Sequence, residues 1–246
     1  MRSLVLLVLL CTSFPILAAE PPKATPADGW TELLKSGPDT PWKKVDAGWV
    51  FAEGVVLDAE NGKKLKPSGK GDVWVNGDKG RLPDLITKQD YKDVEVHVEF
   101  LIGKGSNAGV KFHAVYEIQI LDTAAKKGEL TGDFCGGIYP RAEDKPAYHH
   151  IDKGIGPKVN AAKPAGEWQT LEVTFTSPRL NDKGERMTKA KVVKATLNGQ
   201  LIHENVELET PTGSNWKKKE VATGPFMLQS DHGPVAFRNV KIREIK

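Results

Sequence analysis

The sequence predicts an all-β protein, an antiparallel β-sandwich with one long ordered loop. Short runs rich in β-branched and aromatic residues recur from residue 49 onward, separated by Gly, Pro, Asn and Asp. Several runs alternate apolar and polar residues with a period of two, most cleanly in Val94–Phe100 and Leu171–Phe175. No stretch carries a long helical period. About ten strands at this spacing are typical of two packed antiparallel sheets.

The predicted strands follow one another with short turns along most of the chain. Asn198-Gly199 lies between two runs and predicts a tight hairpin, because both residues tolerate positive φ. Residues 181–188 read as a longer hairpin loop. The runs, in order, are Trp49–Leu57, Asp72–Val75, Val94–Ile102, Gly109–Ala114, Glu117–Leu121, Thr170–Thr176, Lys191–Leu197, Gln200–Val206, Phe226–Ser230 and Val235–Ile245.

Length and charge narrow the class of protein. The chain has 246 residues, which is enough for one large β domain. Its net charge of +3 arises from 35 basic and 32 acidic residues of interspersed sign. Such a weak balance lacks the concentrated basic surface that binds nucleic acid, so we expect no nucleic-acid partner.

The N-terminus reads as a secretory signal peptide over residues 1–19. Arg2 precedes an apolar run that begins at Leu4, and Ala18-Ala19 supplies small residues for cleavage. The run is too short to predict a membrane span, and we expect no membrane span after the signal is removed. We therefore expect a secreted or periplasmic protein.

Residues 20–29, rich in Pro and Ala, read as a linker before a domain that occupies residues 30–246. Cys11 leaves a lipoprotein signal open, although Leu10 precedes it where a small residue is usual. After cleavage only Cys135 remains, so the domain has no internal disulfide. We expect Cys135 to be a small packed residue.

Residues 123–166 form the one segment that a plain sandwich does not explain. It is long and lacks convincing strands, and loops of this kind are functional or disordered. Its content of Phe134, Ile138, Tyr139 and Tyr148 argues for order. We expect this loop, with its adjacent His149-His150, to cross the rim of a polar sheet face.

That polar face is predicted from the neighbouring runs 109–114 and 117–121. Successive side chains of a strand point to opposite faces, so the apolar and polar residues of this pair separate. The side chains expected on the shared polar surface are Lys111, His113, Glu117 and Gln119. An ordinary solvated sheet face remains the alternative interpretation.

A second polar group follows the strand near the C-terminus. If the apolar side chains of that strand face the core, Gln229 and Asp231 face away from it. An Asp next to His232 suits acid–base chemistry or metal ligation. The alternative is a turn in which Asp231 caps backbone amides before Gly233 breaks the strand.

Five motifs together resemble the 3-keto-disaccharide hydrolase domain family, over Trp30 to Lys246. The resemblance implies a concanavalin A-like jelly roll. It also implies cleavage of glycosides whose C3 hydroxyl has been oxidised to a ketone by a separate sugar 3-oxidoreductase. The motifs are Asn107–Val110, Tyr116–Asp122, Pro164–Trp168, Leu197–Gly199 and Gly224–Val240.

Two positions depart from the family pattern. The family often has Arg where this chain has His113, and Asp where it has Ser230. The sequence Asp231-His232-Gly233 is intact. We expect the change at His113 to alter substrate choice or weaken activity.

The implied chemistry begins at the sugar ketone. A C3 ketone acidifies the proton on C2, so its loss allows the C1 substituent to leave by elimination, after which water adds back. In this reading Glu117 and His232 share the acid–base roles, and Lys111 or His113 polarises the ketone. A divalent cation stays open as a cofactor, with Asp122 either ligating it or capping the next loop. The residues expected to bind the sugar are Gln119, Tyr139, Arg141, Gln229 and Asp231.

Two rival functions fit the same fold. A non-catalytic carbohydrate-binding module would depend on exposed aromatic side chains rather than on converging ionisable groups. A structural or partner-binding domain would need neither. Fold alone does not decide between them.

Overall fold

Two antiparallel sheets face each other across a shared apolar core, which confirms the predicted all-β sandwich. The computed structural model describes residues 29–77 and 80–245, and within them sixteen strands and no helix. The predicted signal peptide and all of the predicted linker except Gly29 lie outside the described residues. Consequently, no described segment is a helix that would cross a bilayer.

The larger sheet has eight strands in the order β14-β13-β10-β5-β16-β3-β2, with β1 added on β16. All of its pairings are antiparallel. Its strands are β1 (Thr31–Glu32), β2 (Val50–Leu57), β3 (Leu65–Val75), β5 (Val94–Ile102), β10 (Gln169–Thr176), β13 (Ala190–Leu197), β14 (Gln200–Leu208) and β16 (Val235–Glu244).

The smaller sheet has four strands in the order β4-β15-β6-β7. One face of it contributes to the core, and the opposite face carries the candidate site. Its strands are β4 (Leu85–Tyr91), β6 (Asn107–Phe112), β7 (Tyr116–Leu121) and β15 (Gly224–His232).

The core forms where apolar side chains of the two sheets meet. Phe112 of the smaller sheet stacks on Phe175 of the larger one, with ring centroids 4.5 Å apart and an interplanar angle of 12°. Val96, Val98 and Phe100 of β5 alternate with half-buried polar residues and are at most 2% exposed. Burial of such side chains contributes about 1.5–3 kcal/mol each, which compensates for the absence of a disulfide in the described residues.

Every predicted run overlaps an observed strand. The Asn198-Gly199 hairpin is confirmed, with φ of 53° and 78° at the two residues. The sequence reading missed β4, because its second half, Lys88 to Asp90, is polar and exposed at the edge of the smaller sheet. Residues 181–188 do form a hairpin loop, held by β11 (Arg179–Leu180) and β12 (Arg186–Thr188).

The loop 123–166 is ordered and covers the outer edge of β7. Gln119 N donates to Gly137 O at 2.8 Å, and Gly136 N donates to Gln119 O at 2.7 Å. These bonds satisfy backbone groups that an edge strand would otherwise leave open. The loop contains one small hairpin, β8 (Ala142–Glu143) and β9 (His149–His150), and it buries Cys135 completely, as expected.

Candidate functional site

A cavity of about 390 Å³ opens on the outer face of the smaller sheet. Its volume lies in the range of small-ligand sites. Strands β6, β7 and β15 form its floor, and the long loop and residues 213–215 form its wall. The side chains that line it and can bind or react with a ligand are Asn107, Lys111, Glu117, Tyr139, Tyr148, Gln229 and His232.

The floor of the cavity is an ion pair between neighbouring strands. Lys111 of β6 lies directly opposite Glu117 of β7, and Lys111 Nζ is 3.0 Å from Glu117 Oε2. The pair is sheltered, with 12% of the Lys111 side chain and 5% of the Glu117 side chain exposed. The period-two alternation predicted that both side chains lie on this face of the sheet.

Burial raises the pKa of Glu117 above the usual range of a carboxyl group. The Lys111 ammonium opposes that rise, and the negative Asp84 reinforces it. A buried carboxylate with a raised pKa accepts a proton more readily than an exposed one. Glu117 is therefore suited to act as a general base.

Gly109 leaves room for the Glu117 carboxylate. A Cβ atom at Gly109 would lie 2.4 Å from Glu117 Oε1, closer than any real contact of this kind. Gly109 pairs with Gln229 on one side and Gln119 on the other, in the middle of the sheet. The glycine is thus a requirement of the site rather than of a turn.

Replacing Gly109 with alanine should lower activity at the site with a small effect on the fold. The added methyl group displaces the Glu117 carboxylate, which is the mobile end of its side chain. Gly54→Ala in β2 is the matched control, because its nearest neighbour is Ser68 Oγ at 3.3 Å. Thermal unfolding and turnover of both variants check this, and an active Gly109→Ala protein would contradict it.

His232 reaches the cavity because β15 contains a bulge. Gln229 pairs with Gly109 and His232 pairs with Asn107, so three steps along β15 match two along β6. The extra residue shifts the alternation by one position, as β-bulges do. His232 therefore shares the cavity face with Gln229, whereas regular alternation would have placed Asp231 there.

Asp231 does not line the cavity, which corrects its predicted contact with the sugar. Its Oδ1 instead forms a short contact with Nδ1 of His232. This contact orients the ring and leaves Nε2 as the nitrogen available for proton transfer. Behind the bulge, Ser230 N donates to Asp84 Oδ1 at 2.9 Å, and burial raises the pKa of Asp84.

The long loop supplies a connected group of polar side chains at the rim. Tyr148 Oη donates to Tyr139 Oη at 2.9 Å, and His150 Nε2 lies 3.0 Å from the same oxygen. Tyr139 and Tyr148 both line the cavity, in agreement with the predicted role of the loop. Tyr148 was expected to help order the loop but was not predicted to line the site.

His113 lies outside the cavity, and the structure corrects its predicted role. Strand β6 ends at Phe112, and His113 begins the turn with φ of 52°, so strand alternation no longer applies to it. The side chain is 6% exposed, and its Nε2 lies 2.9 Å from Ser177 Oγ. Its ring packs on Phe175 at a centroid distance of 5.6 Å, so the side chain is part of the packing between the sheets.

We expect His113 to make the fold sensitive to acid. Burial lowers the pKa of His113 below its usual value of about 6.5. Below that pH the unfolded chain binds the proton that the folded protein excludes, so the free energy of unfolding falls as pH decreases. His113→Asn, which tolerates the positive φ, should show a smaller loss between pH 7 and pH 5 in urea denaturation. An unchanged pH dependence would contradict this.

Three further predicted residues lie away from the cavity. Gln119 is 1% exposed, and its Oε1 accepts from Ile120 N at 3.1 Å beneath the loop. Arg141 Nε binds Asp152 at 2.6 Å and lines a neighbouring cleft. Asp122 accepts from Gly105 N at 2.9 Å, in the turn before β6, whereas it was expected to cap the loop that follows it.

No metal centre is evident in the described ranges. Residues 29–77 and 80–245 contain no group of three or more His, Cys, Asp or Glu side chains arranged to hold an ion. Asp122 therefore belongs to no such group within that part of the chain.

The sequence reading missed Asn107, which lines the cavity, and Asp84, which lies behind it. Asn107 lines the cavity, and its buried Oδ1 has no hydrogen-bond partner among the residues that the structure describes. Extending the alternation of Lys111 and Gly109 by two residues would have found it, since Asn107 lies on the same face. Asp84 precedes a strand that was itself missed, so no sequence signal pointed to it.

Comparison with solved structures supports the fold. A Parabacteroides distasonis protein provisionally assigned as a glycosyl hydrolase shares 22% identity, with 89% of this chain and 84% of that chain covered at a TM-score of 0.61. A second such protein from the same organism shares 18% identity, with coverage of 88% and 99% and a TM-score of 0.55. At these identities the likeness concerns the fold alone. No curated protein matches the chain.

The sequence profile of one protein family matches residues 25–243, which is nearly all of the chain. That family is described as the 3-keto-alpha-glucoside-1,2-lyase-like domain. The match agrees with the resemblance found in the sequence and with the sandwich fold. The chain therefore belongs to the 3-keto-alpha-glucoside-1,2-lyase-like family of carbohydrate-active proteins.

Proposed function

We propose that this protein cleaves 3-keto-glycosides by removing the C2 proton, eliminating the C1 substituent and adding water. The observation that carries the proposal is the sheltered Lys111–Glu117 pair at the floor of a cavity that also contains His232. The family membership supports the proposed substrate class, and the cavity contains groups that this chemistry needs.

Glu117 takes the proton from C2 in this proposal. The two electrons of the C–H bond form the enolate of the C3 ketone, and they return as the bond between C1 and its oxygen breaks. The products of elimination are a 1,2-unsaturated 3-keto-sugar and the released alcohol. A positioned base of this kind contributes about 10²–10⁴-fold to the rate.

Lys111 stabilises the enolate oxygen. C2 and C3 are adjacent in the ring, and Lys111 Nζ is only 3.0 Å from Glu117 Oε2. A sugar whose C2 proton faces Glu117 would thus have its C3 oxygen close to the ammonium group. A fixed positive charge in a sheltered site stabilises developing negative charge strongly.

His232 shares the acid–base work, and polar side chains hold the sugar. Asp231 orients the His232 ring, so that it can supply or accept a proton at the leaving oxygen and at the incoming water. Gln229 and the unpaired Oδ1 of Asn107 are placed to bind sugar hydroxyl groups. Water then adds at C1 while C2 regains a proton, and the net reaction is hydrolysis.

We also propose which kind of enzyme supplies the substrate and where in the cell the protein acts. A ketone at C3 requires prior oxidation of the glycoside, so a separate sugar 3-oxidoreductase would provide the substrate. We propose export through residues 1–19, which N-terminal sequencing of the mature protein from its source cells would test by finding a start at Glu20.

The deciding experiment compares a 3-keto-glucoside with its unoxidised parent and follows release of the alcohol. We expect turnover of the ketone alone, with exchange of the C2 hydrogen in deuterated water. Binding of both sugars without turnover would support a carbohydrate-binding module instead, and exchange without release would limit the role to proton abstraction.

A further inference from the structure

Tyr139 stands between two cavities. The site described above adjoins a second cleft of about 590 Å³, to which Arg141, Arg186 and Glu209 contribute. Among the described residues, Tyr139 is the only one that lines both spaces. A glycoside with its oxidised sugar over Glu117 and its leaving group in the cleft would therefore pass its glycosidic oxygen beside Tyr139.

The Tyr139 hydroxyl has two further partners and one hydrogen to give. Tyr148 Oη donates to it at 2.9 Å, and His150 Nε2 lies 3.0 Å away. The His150 ring meets the Tyr139 ring edge-on, at 5.1 Å and 88°. When His150 carries a hydrogen on Nε2, the Tyr139 oxygen accepts from both neighbours and its own hydrogen is free to point elsewhere.

We propose that Tyr139 protonates the glycosidic oxygen as it leaves, and that His150 returns the proton to Tyr139 from solvent. This inference rests on the proposed function. The Tyr139 O–H bond breaks as the alcohol O–H bond forms, and the proton on His150 Nε2 then moves to the Tyr139 oxygen. His150 is exposed and takes a replacement proton from water.

The surroundings of Tyr139 suit a proton donor. Burial raises the pKa of Tyr139, and the nearby Glu117 carboxylate acts in the same direction. The hydroxyl thus stays protonated at neutral pH until a stronger base, the departing alkoxide, forms beside it. Tyr139 thus replaces His232 as the acid at the leaving oxygen, and Glu117 and His232 keep the proton exchanges at C2 and at the attacking water.

The leaving group provides the first test. Tyr139→Phe should lower kcat by about 10²–10³-fold on a 3-keto-glucoside with an alkyl or sugar leaving group, which needs a proton. The same variant should lose less than about tenfold on the nitrophenyl analogue, because nitrophenolate leaves without protonation. Equal losses on both substrates would overturn the inference.

The supply of protons provides the second test. His150→Ala should slow release of the alkyl alcohol, and added imidazole should restore much of the rate. His149→Ala is the matched control, since that ring bonds to Ala147 O and does not contact Tyr139 in the structure. The double variant Tyr139→Phe, His150→Ala should show no rescue.

The wild-type protein separates the two proposals. If it releases neither alcohol, the proposed function fails and this inference fails with it. If it releases both, the proposed function stands and the variants test only this inference. The role of His150 is overturned if imidazole does not restore the rate of His150→Ala. It is also overturned if imidazole restores the rate of the double variant. Circular dichroism of each variant confirms that the fold is intact before the rates are compared.

Discussion

Replacing Glu117 with glutamine should reduce kcat on a 3-keto-glucoside by about 10²–10⁴-fold. Glutamine keeps the size of the side chain and removes the carboxylate that takes the C2 proton. The carboxylate lies at the floor of the cavity, where the adjacent Gly109 leaves space for it. Release of the alcohol under saturating substrate measures the effect, and loss of C2 hydrogen exchange locates it at the first step.

A surface glutamate provides the control for that substitution. Glu204 pairs with Lys158 at 3.0 Å, as Glu117 does with Lys111, but more than half of its side chain is exposed, at 54%. Glu204→Gln should leave turnover unchanged. If Glu117→Gln retains both turnover and C2 exchange, Glu117 is not the base and the assignment of this cavity fails.

Replacing Lys111 with methionine should impair both activity and stability. The variant loses the charge that faces the enolate, and it leaves a buried carboxylate without its partner. Breaking a buried ion pair from one side costs about 3 kcal/mol, because the remaining charge is neither solvated nor paired. Urea denaturation at neutral pH measures the free energy of unfolding. The rate of turnover measures how much the Lys111 charge stabilises the enolate.

The double variant separates the two effects. Lys111→Met combined with Glu117→Gln removes both charges, so most of the lost stability should return while activity stays absent. Lys158→Met, which breaks the exposed pair with Glu204, should cost less than about 1 kcal/mol. If the double variant is as unstable as Lys111→Met alone, the unpaired carboxylate is not the cause.

The pH dependence of Lys111→Met offers a further check on the same cause. Burial already raises the pKa of Glu117, and removal of the Lys111 ammonium raises it further. At pH values above the ordinary glutamate pKa of about 4.3, the folded variant then binds a proton that the unfolded chain does not bind. Its stability should therefore be better preserved at pH 5 than at pH 8, relative to wild type.

Local patterns determined much of this protein. The alternation of side chains predicted the sandwich, its main strands and the facing of Lys111 and Glu117, because two strands joined by a tight turn can pair in few ways. The Asn198-Gly199 hairpin followed from the same kind of local constraint. In each case the residues that interact are close in sequence, and backbone geometry relates them directly.

Only the tertiary structure decided which side chains share the cavity. The bulge in β15 exchanged Asp231 for His232, and the turn at His113 removed that residue from the strand face. Tyr148 comes from a segment distant in sequence and reaches the cavity through the loop packed on β7, and sheet order places Asp84 behind the bulge. Period-two alternation describes a regular strand, whereas a bulge or a left-handed turn depends on the packing of the whole sandwich.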